Sequence, residues 1–214
     1  MADGTVVFGA SGFGREAIDV ILDIRAADPM ALPPLLGVMD DRPNGRSLEK
    51  LAGIGVPYLG PIARWSEYQG SAHYVVGIGD PRTRYDVVSR TDPSSESAAT
   101  IVHPSATVGH ATHLGRGVIV CAGVQISNNV TLGEHVHINP NATVGHDARL
   151  LDFVSINPGA VISGDCLIGD RVLVGANATV LQGLEIGAEA IVGAAACVVR
   201  DVSAGRTVKG VPAV

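Results

Sequence analysis

Two places in this 214-residue chain hold side chains whose type and spacing suit chemistry. The first is Val144-Gly145-His146-Asp147, an imidazole followed directly by a carboxylate. A neutral imidazole accepts a proton well near pH 7. An adjacent carboxylate fixes its tautomer and stabilises the imidazolium that forms. Six further histidines stand at 73, 103, 110, 113, 135 and 137, and none is followed by a carboxylate. They read as solvated or stacked polar side chains. His135-Val136-His137 invites a metal reading, but alternate residues of an extended segment point to opposite sides, so no metal is expected there. The second place is Gly9-Ala10-Ser11-Gly12-Phe13-Gly14. Spacing alone is also met by glycines that merely permit a tight turn; a phosphate site needs supporting context.

That context is a strand before the turn and a helix after it. Thr5–Phe8 reads as a buried strand, and 15–26 places Ala17, Ile18, Val20, Ile21, Leu22 and Ile24 on an apolar helix face. Strand, glycine turn and helix present backbone N–H groups and a positive dipole end to phosphate. A second strand at 35–39 ends in Asp40-Asp41, where a carboxylate can meet ribose hydroxyls. A third at 73–79 precedes a helix at 81–90. These elements predict a small, Rossmann-like parallel α/β sheet of three or four strands. It has room for one mononucleotide half, so one nucleotide fits better than NAD.

The other element is a repeat. From Val102 to Val198 every sixth residue is Val, Ile or Leu, 17 positions without an insertion. Four residues after each stands a mostly small or β-branched residue, and Gly often follows the aliphatic one. A period of six matches neither helix nor simple strand. It predicts an all-β solenoid of roughly five to six coils stacked at about 4.8 Å. Gly or Asn at its corners would supply positive φ. Residues 18 apart then share a corner. His110, Asn128 and His146 form one column, with the two histidines roughly 9–10 Å apart; Asn139 and Asn157 form another.

Composition divides the chain in the same place. Seven of the eight aromatics precede residue 86, and only Phe153 lies beyond. The expected domains are 1–100, α/β, and 101–214, β-helical. Net charge is −6 with pI near 5.6 and no basic run, which argues against nucleic-acid partners. No long apolar stretch or leader suggests membrane insertion or export. Cys121, Cys166 and Cys197 read as free thiols in a reducing cytoplasm.

The hexads, together with the ending Lys209-Gly210-Val211-Pro212-Ala213, resemble the hexapeptide-repeat acyltransferases. With the glycine turn added, the chain resembles the bacillosamine-pathway UDP-4-amino-sugar N-acetyltransferases and the related sialic acid O-acetyltransferases. That resemblance implies a left-handed parallel β-helix, a homotrimer, acetyl-CoA as co-substrate and a nucleotide-linked amino sugar as acceptor. It implies His146 as general base and Asp147 as the acid that raises its basicity. It implies Ser155, Ala176 and Ala194 at acetyl-CoA, and Ser11, Gly12, Phe13 and Asp40 at the nucleotide sugar. Phe13 stands where the family commonly has His, and Ser155 where a relative can have His. Gly77, Gly79, Asp80 and Arg84 resemble a Gly-x-Gly-Asn…Arg stretch in which Arg84 would meet a diphosphate. A sugar O-acetyltransferase and a non-catalytic nucleotide-sugar-binding solenoid stay open as alternatives.

Overall fold

The computed structural model describes residues 4–92 and 94–214. The N-terminal part begins with β1 (Gly4–Phe8), α1 (Gly12–Ala27), β2 (Leu35–Met39) and α2 (Gly45–Gly53). It continues with β3 (Tyr58–Gly60), a 3-10 turn at Ile62–Glu67, β4 (Ala72–Val76) and α3 (Pro81–Thr91). The four strands are parallel in the order β3-β2-β1-β4. The order reverses between β1 and β4, which is where open α/β sheets hold ligands. The sequence reading missed α2 and β3, which are short and weakly patterned. It also started α1 three residues late, because the helix begins inside the glycine turn.

Strands β5 (Ile101–Val102) to β22 (Thr207–Val208) are two-residue rungs of a parallel β-helix. They form three faces. The first holds seven strands, from β5 to β22; the second holds six and the third five. The aliphatic hexad positions Val120, Ile138, Val144, Ile156 and Ile168 point inward with no exposed area. Their regularity is what lets each coil sit on the last, one backbone hydrogen bond ladder per face.

The corners follow one rule, and the expected Gly or Asn fills only some of them. Every sixth residue from Ala111 to Ala195 is left-handed, with φ between 54° and 70°. These residues come three after the aliphatic one, and most are not Gly. The glycines directly after it serve close approach instead. A Cβ on Gly145 would lie 2.5 Å from the backbone N of Gly164 in the next coil. One further departure is at the end. After Val198 the chain takes a four-residue step, so Val202 pairs with Ile186 and Val208 with Val192.

The α/β part lies on the first face, with α1 residues Ala17, Ile18 and Ile21 sharing one apolar core with Ile101 and Ile119. An aromatic stack links the parts. Phe8 lies on Tyr74 at 4.8 Å, Tyr74 beside His135 at 6.2 Å, and His135 on Phe153 at 5.1 Å. No described helix is long and apolar enough to cross a membrane.

Candidate active site

His146 and Asp147 occupy the edge between the second and third faces, after β12 (Thr143–Val144) and before β13 (Arg149–Leu150). Asp147 holds the left-handed position, φ 61°, and this turns its carboxylate back toward the preceding imidazole. The gap from His146 Nδ1 to Asp147 Oδ2 is 2.6 Å. With Nδ1 donating, Nε2 keeps its lone pair. The imidazole is 62% exposed, and its ring rests on Gly164 in the next coil. A Cβ at position 164 would come within 2.6 Å of Nε2, so only glycine leaves that ring its place. Asp147 Oδ1 accepts from Asn129 Nδ2 at 2.6 Å. Hydrogen bonds, first from Asn129 and then with His146, hold the Asp147 carboxyl below its usual range. Asn129 and Gly164 were not singled out in the sequence, although the 18-residue stacking leads from Asp147 to one and from His146 to the other.

The glycine turn lies at the carboxyl ends of β1 and β4. Gly14 must be glycine, since a Cβ there would meet Gly9 O at 1.9 Å. Ser11 and Gly12 are exposed at the start of α1, and a Cβ on Gly12 meets nothing within 4 Å. Ser11 makes no side-chain cap, so the first N–H groups of the helix have no capping side chain. Asp40 Oδ2 accepts from Ala10 N at 2.7 Å and Oδ1 from Arg42 N at 2.7 Å. Asp40 therefore fastens the turn, with both oxygens engaged. Beside it a cleft of about 280 Å³ is lined by Gly9, Asp40, Asp41, Arg42, Ile78 and Thr83 among others.

Three expected ligand contacts are corrected. Arg84 is wholly buried rather than open to a diphosphate. Its Nη1 donates to Ile78 O and Gly79 O, Nε to His135 O, and Nη2 to Phe153 O, Val154 O and Ser155 Oγ. Nε and Nη2 thus clamp the α/β part onto the β-helix, while Nη1 is spent on the turn after β4. Burial brings its guanidinium down to about 9, still charged at neutral pH. Ser155, on β14 (Ser155–Ile156), is 1% exposed, and its hydroxyl donates to Gly79 O at 2.8 Å. It belongs to the same clamp, with its hydroxyl spent on the junction. The half-buried Phe13 ring packs against His137 at 4.7 Å, so this face of it is spent on the β-helix.

The alternation argument for His135 and His137 fails as well. Side chains two residues apart on an extended segment share a face, so spacing never separated them. His135 holds a left-handed corner, φ 54°, and both imidazoles are buried under the α/β part. Ala176 and Ala194 stack one coil apart on the edge between the first and second faces, half-buried and exposed. Ala176 O accepts from Ala195 N at 2.8 Å, which joins the two coils at this edge. They stand on a different edge from His146. Among the described residues no hydrogen bond or ion pair joins the α/β part to the His146 edge.

A sequence family described as PglD N-terminal domain matches residues 5–91, and one described as hexapeptide repeat of succinyl-transferase matches 167–198. No curated protein matches significantly. Solved structures do. A histidine-to-asparagine variant of perosamine N-acetyltransferase from Caulobacter crescentus, in complex with CoA and GDP-perosamine, is 32% identical, with TM-score 0.83 over 99% of this chain and 95% of that one. A histidine-to-alanine variant with the same ligands is equally similar. The acetyltransferase domain of PglB from Neisseria gonorrhoeae, in complex with acetyl coenzyme A, is 27% identical, with TM-score 0.89 over 100% and 99% of the two chains. WeeI from Acinetobacter baumannii is 27% identical, with TM-score 0.84 over 99% and 98%.

Proposed function

This chain belongs to the hexapeptide-repeat sugar N-acetyltransferases with a PglD-type N-terminal domain, and on that premise we propose that it acetylates the amine of a nucleotide-linked amino sugar from acetyl-CoA. The observation that carries this is the His146 imidazole, held at Nδ1 by Asp147 and open at Nε2 on an exposed edge. His146 Nε2 removes a proton from the sugar amine as its nitrogen attacks the thioester carbonyl. The new C–N bond forms, the C–S bond breaks, and His146 returns the proton to the departing thiolate. Asp147 stabilises the imidazolium in between.

Residues 1–100 serve as the nucleotide-sugar domain and 101–214 as the acyltransferase domain. Ser11 and Gly12 offer backbone N–H groups to the diphosphate, with Asp40 holding their turn in shape. Ala176 and Ala194 offer backbone to the pantetheine arm of acetyl-CoA. These sets and His146 lie on different parts of one chain, so a second copy must bring them together. Three-fold closure does this. It also covers Leu181 and Val199, which are 37% and 46% exposed on the His146 edge. Both substrates are cytoplasmic metabolites, and free, partly buried thiols suit that compartment.

Thiol release from acetyl-CoA, followed across a panel of nucleotide-linked amino sugars, sialic acid and plain sugars, tests the proposal. Turnover only with amine-bearing nucleotide sugars is expected. Turnover only with a hydroxyl acceptor would make the enzyme an O-acetyltransferase, and none at all with any acceptor would favour a binding solenoid.

A further inference from the structure

The edge that carries His146 holds a third side chain in line with it. Asn129 precedes Asp147 by one coil, and both take the left-handed position, with φ of 58° and 61°. Equal backbone conformations one coil apart aim their side chains alike, so the carboxamide lies under the carboxylate. Asn129 Nδ2 donates to Asp147 Oδ1 at 2.6 Å, while Oδ2 meets His146 Nδ1 at 2.6 Å. The two oxygens thus have two different partners, and the carboxylate cannot rotate about Cβ–Cγ without losing one. The Asp147 side chain is 45% exposed, and with one partner it would be free to turn to water.

We propose that Asn129 is a positioning residue for this reaction, fixing the Asp147 carboxylate so that it holds the His146 ring in the orientation and tautomer that leave Nε2 basic. The inference rests on His146 being the general base. In this role Asn129 acts through Asp147 alone and exchanges no proton. Asparagine also tolerates positive φ, so its presence could serve the corner alone. Glycine and aspartate tolerate that conformation too, and they separate the two roles.

The test compares wild type, Asn129→Gly, Asn129→Asp and His146→Ala in kcat, KM, thermal midpoint and the pH profile of kcat. Asn129→Gly is expected to keep its thermal midpoint and both KM values while kcat falls roughly tenfold, part of the worth of a positioned base. The acidic limb of its profile should move to lower pH, because the imidazolium loses a held carboxylate. Asn129→Asp keeps the shape but sets carboxylate against carboxylate, and should lose at least as much at neutral pH. Near wild-type kcat and an unmoved limb in both Asn129 variants, with His146→Ala inactive, would overturn the positioning role and leave the base intact. Full turnover by His146→Ala would overturn the base reading itself, and this inference with it.

Discussion

At the scale of single residues, the active edge depends on backbone conformation as much as on side-chain identity. The left-handed φ of Asp147 is what brings adjacent residues into a hydrogen bond. His146→Ala should lower kcat by about 10²–10⁴-fold, the usual contribution of a positioned general base. Folding should survive, because Val144 and Ala148 carry the internal contacts and are fully buried on either side. Asp147→Asn should cost less, since it weakens the base without removing it. Gly164→Ala supplies a different check. Its Cβ would collide with the ring, so the imidazole must swing away and kcat should fall while the β-helix stays assembled. Steady-state kinetics alongside circular dichroism would read all three.

At the scale of elements, two kinds of glycine need separate tests. Gly12 borders open space at the start of α1, where backbone N–H groups have no capping side chain. Gly12→Val should leave the fold intact and fill that space, weakening titration calorimetry binding of the sugar nucleotide while sparing acetyl-CoA. Unchanged nucleotide-sugar affinity would remove the turn from the site. Gly145 is different, because the next coil lies against it. Gly145→Ala should force neighbouring coils apart and destabilise by about 1–3 kcal/mol, read by denaturant unfolding.

At the scale of the whole molecule, the junction between the two parts is the feature with measurable consequences. Arg84 holds it as a buried cation surrounded by carbonyls. Arg84→Met should destabilise by about 2–5 kcal/mol, because several buried acceptors lose their donor at once. The same junction predicts acid sensitivity. Burial, with Arg84 nearby, pushes His135 from 6.5 down to about 4 and His137 well below its ordinary value. Asp92 opposes this only in part at His135. Below pH 6.5 the unfolded chain takes up protons that the folded chain refuses. Stability is therefore complete above about pH 6.5 and declines as pH falls toward 4, by about 3 kcal/mol for His135 alone. Denaturant midpoints at pH 7.5 and pH 5 would show it, and equal midpoints would contradict it. The assembly is expected to be a trimer, so light scattering should give three times the 21.9 kDa of one chain. A monomer at micromolar concentration would contradict it.

The β-helix was legible in the sequence because its information is periodic and local. Each hexad repeats one inward aliphatic residue, and the same short rung forms wherever that residue recurs. The His146-Asp147 pair was legible for a similar reason, since neighbours in sequence are neighbours in space. Its support was readable in principle, because Asn129 and Gly164 lie one coil away on either side. The roles of Arg84, Ser155 and Phe13 were not. Their partners lie across a docking surface, 51 residues from Arg84 to His135 and 76 from Ser155 to Gly79. No local pattern encodes how one face of a sheet meets another. A buried guanidinium and one that grips phosphate have the same sequence signature, and burial alone tells them apart. Phe153 shows the same limit. Alone among aromatics in the second half, it gained its meaning only when the tertiary structure set it against His135 and Tyr85.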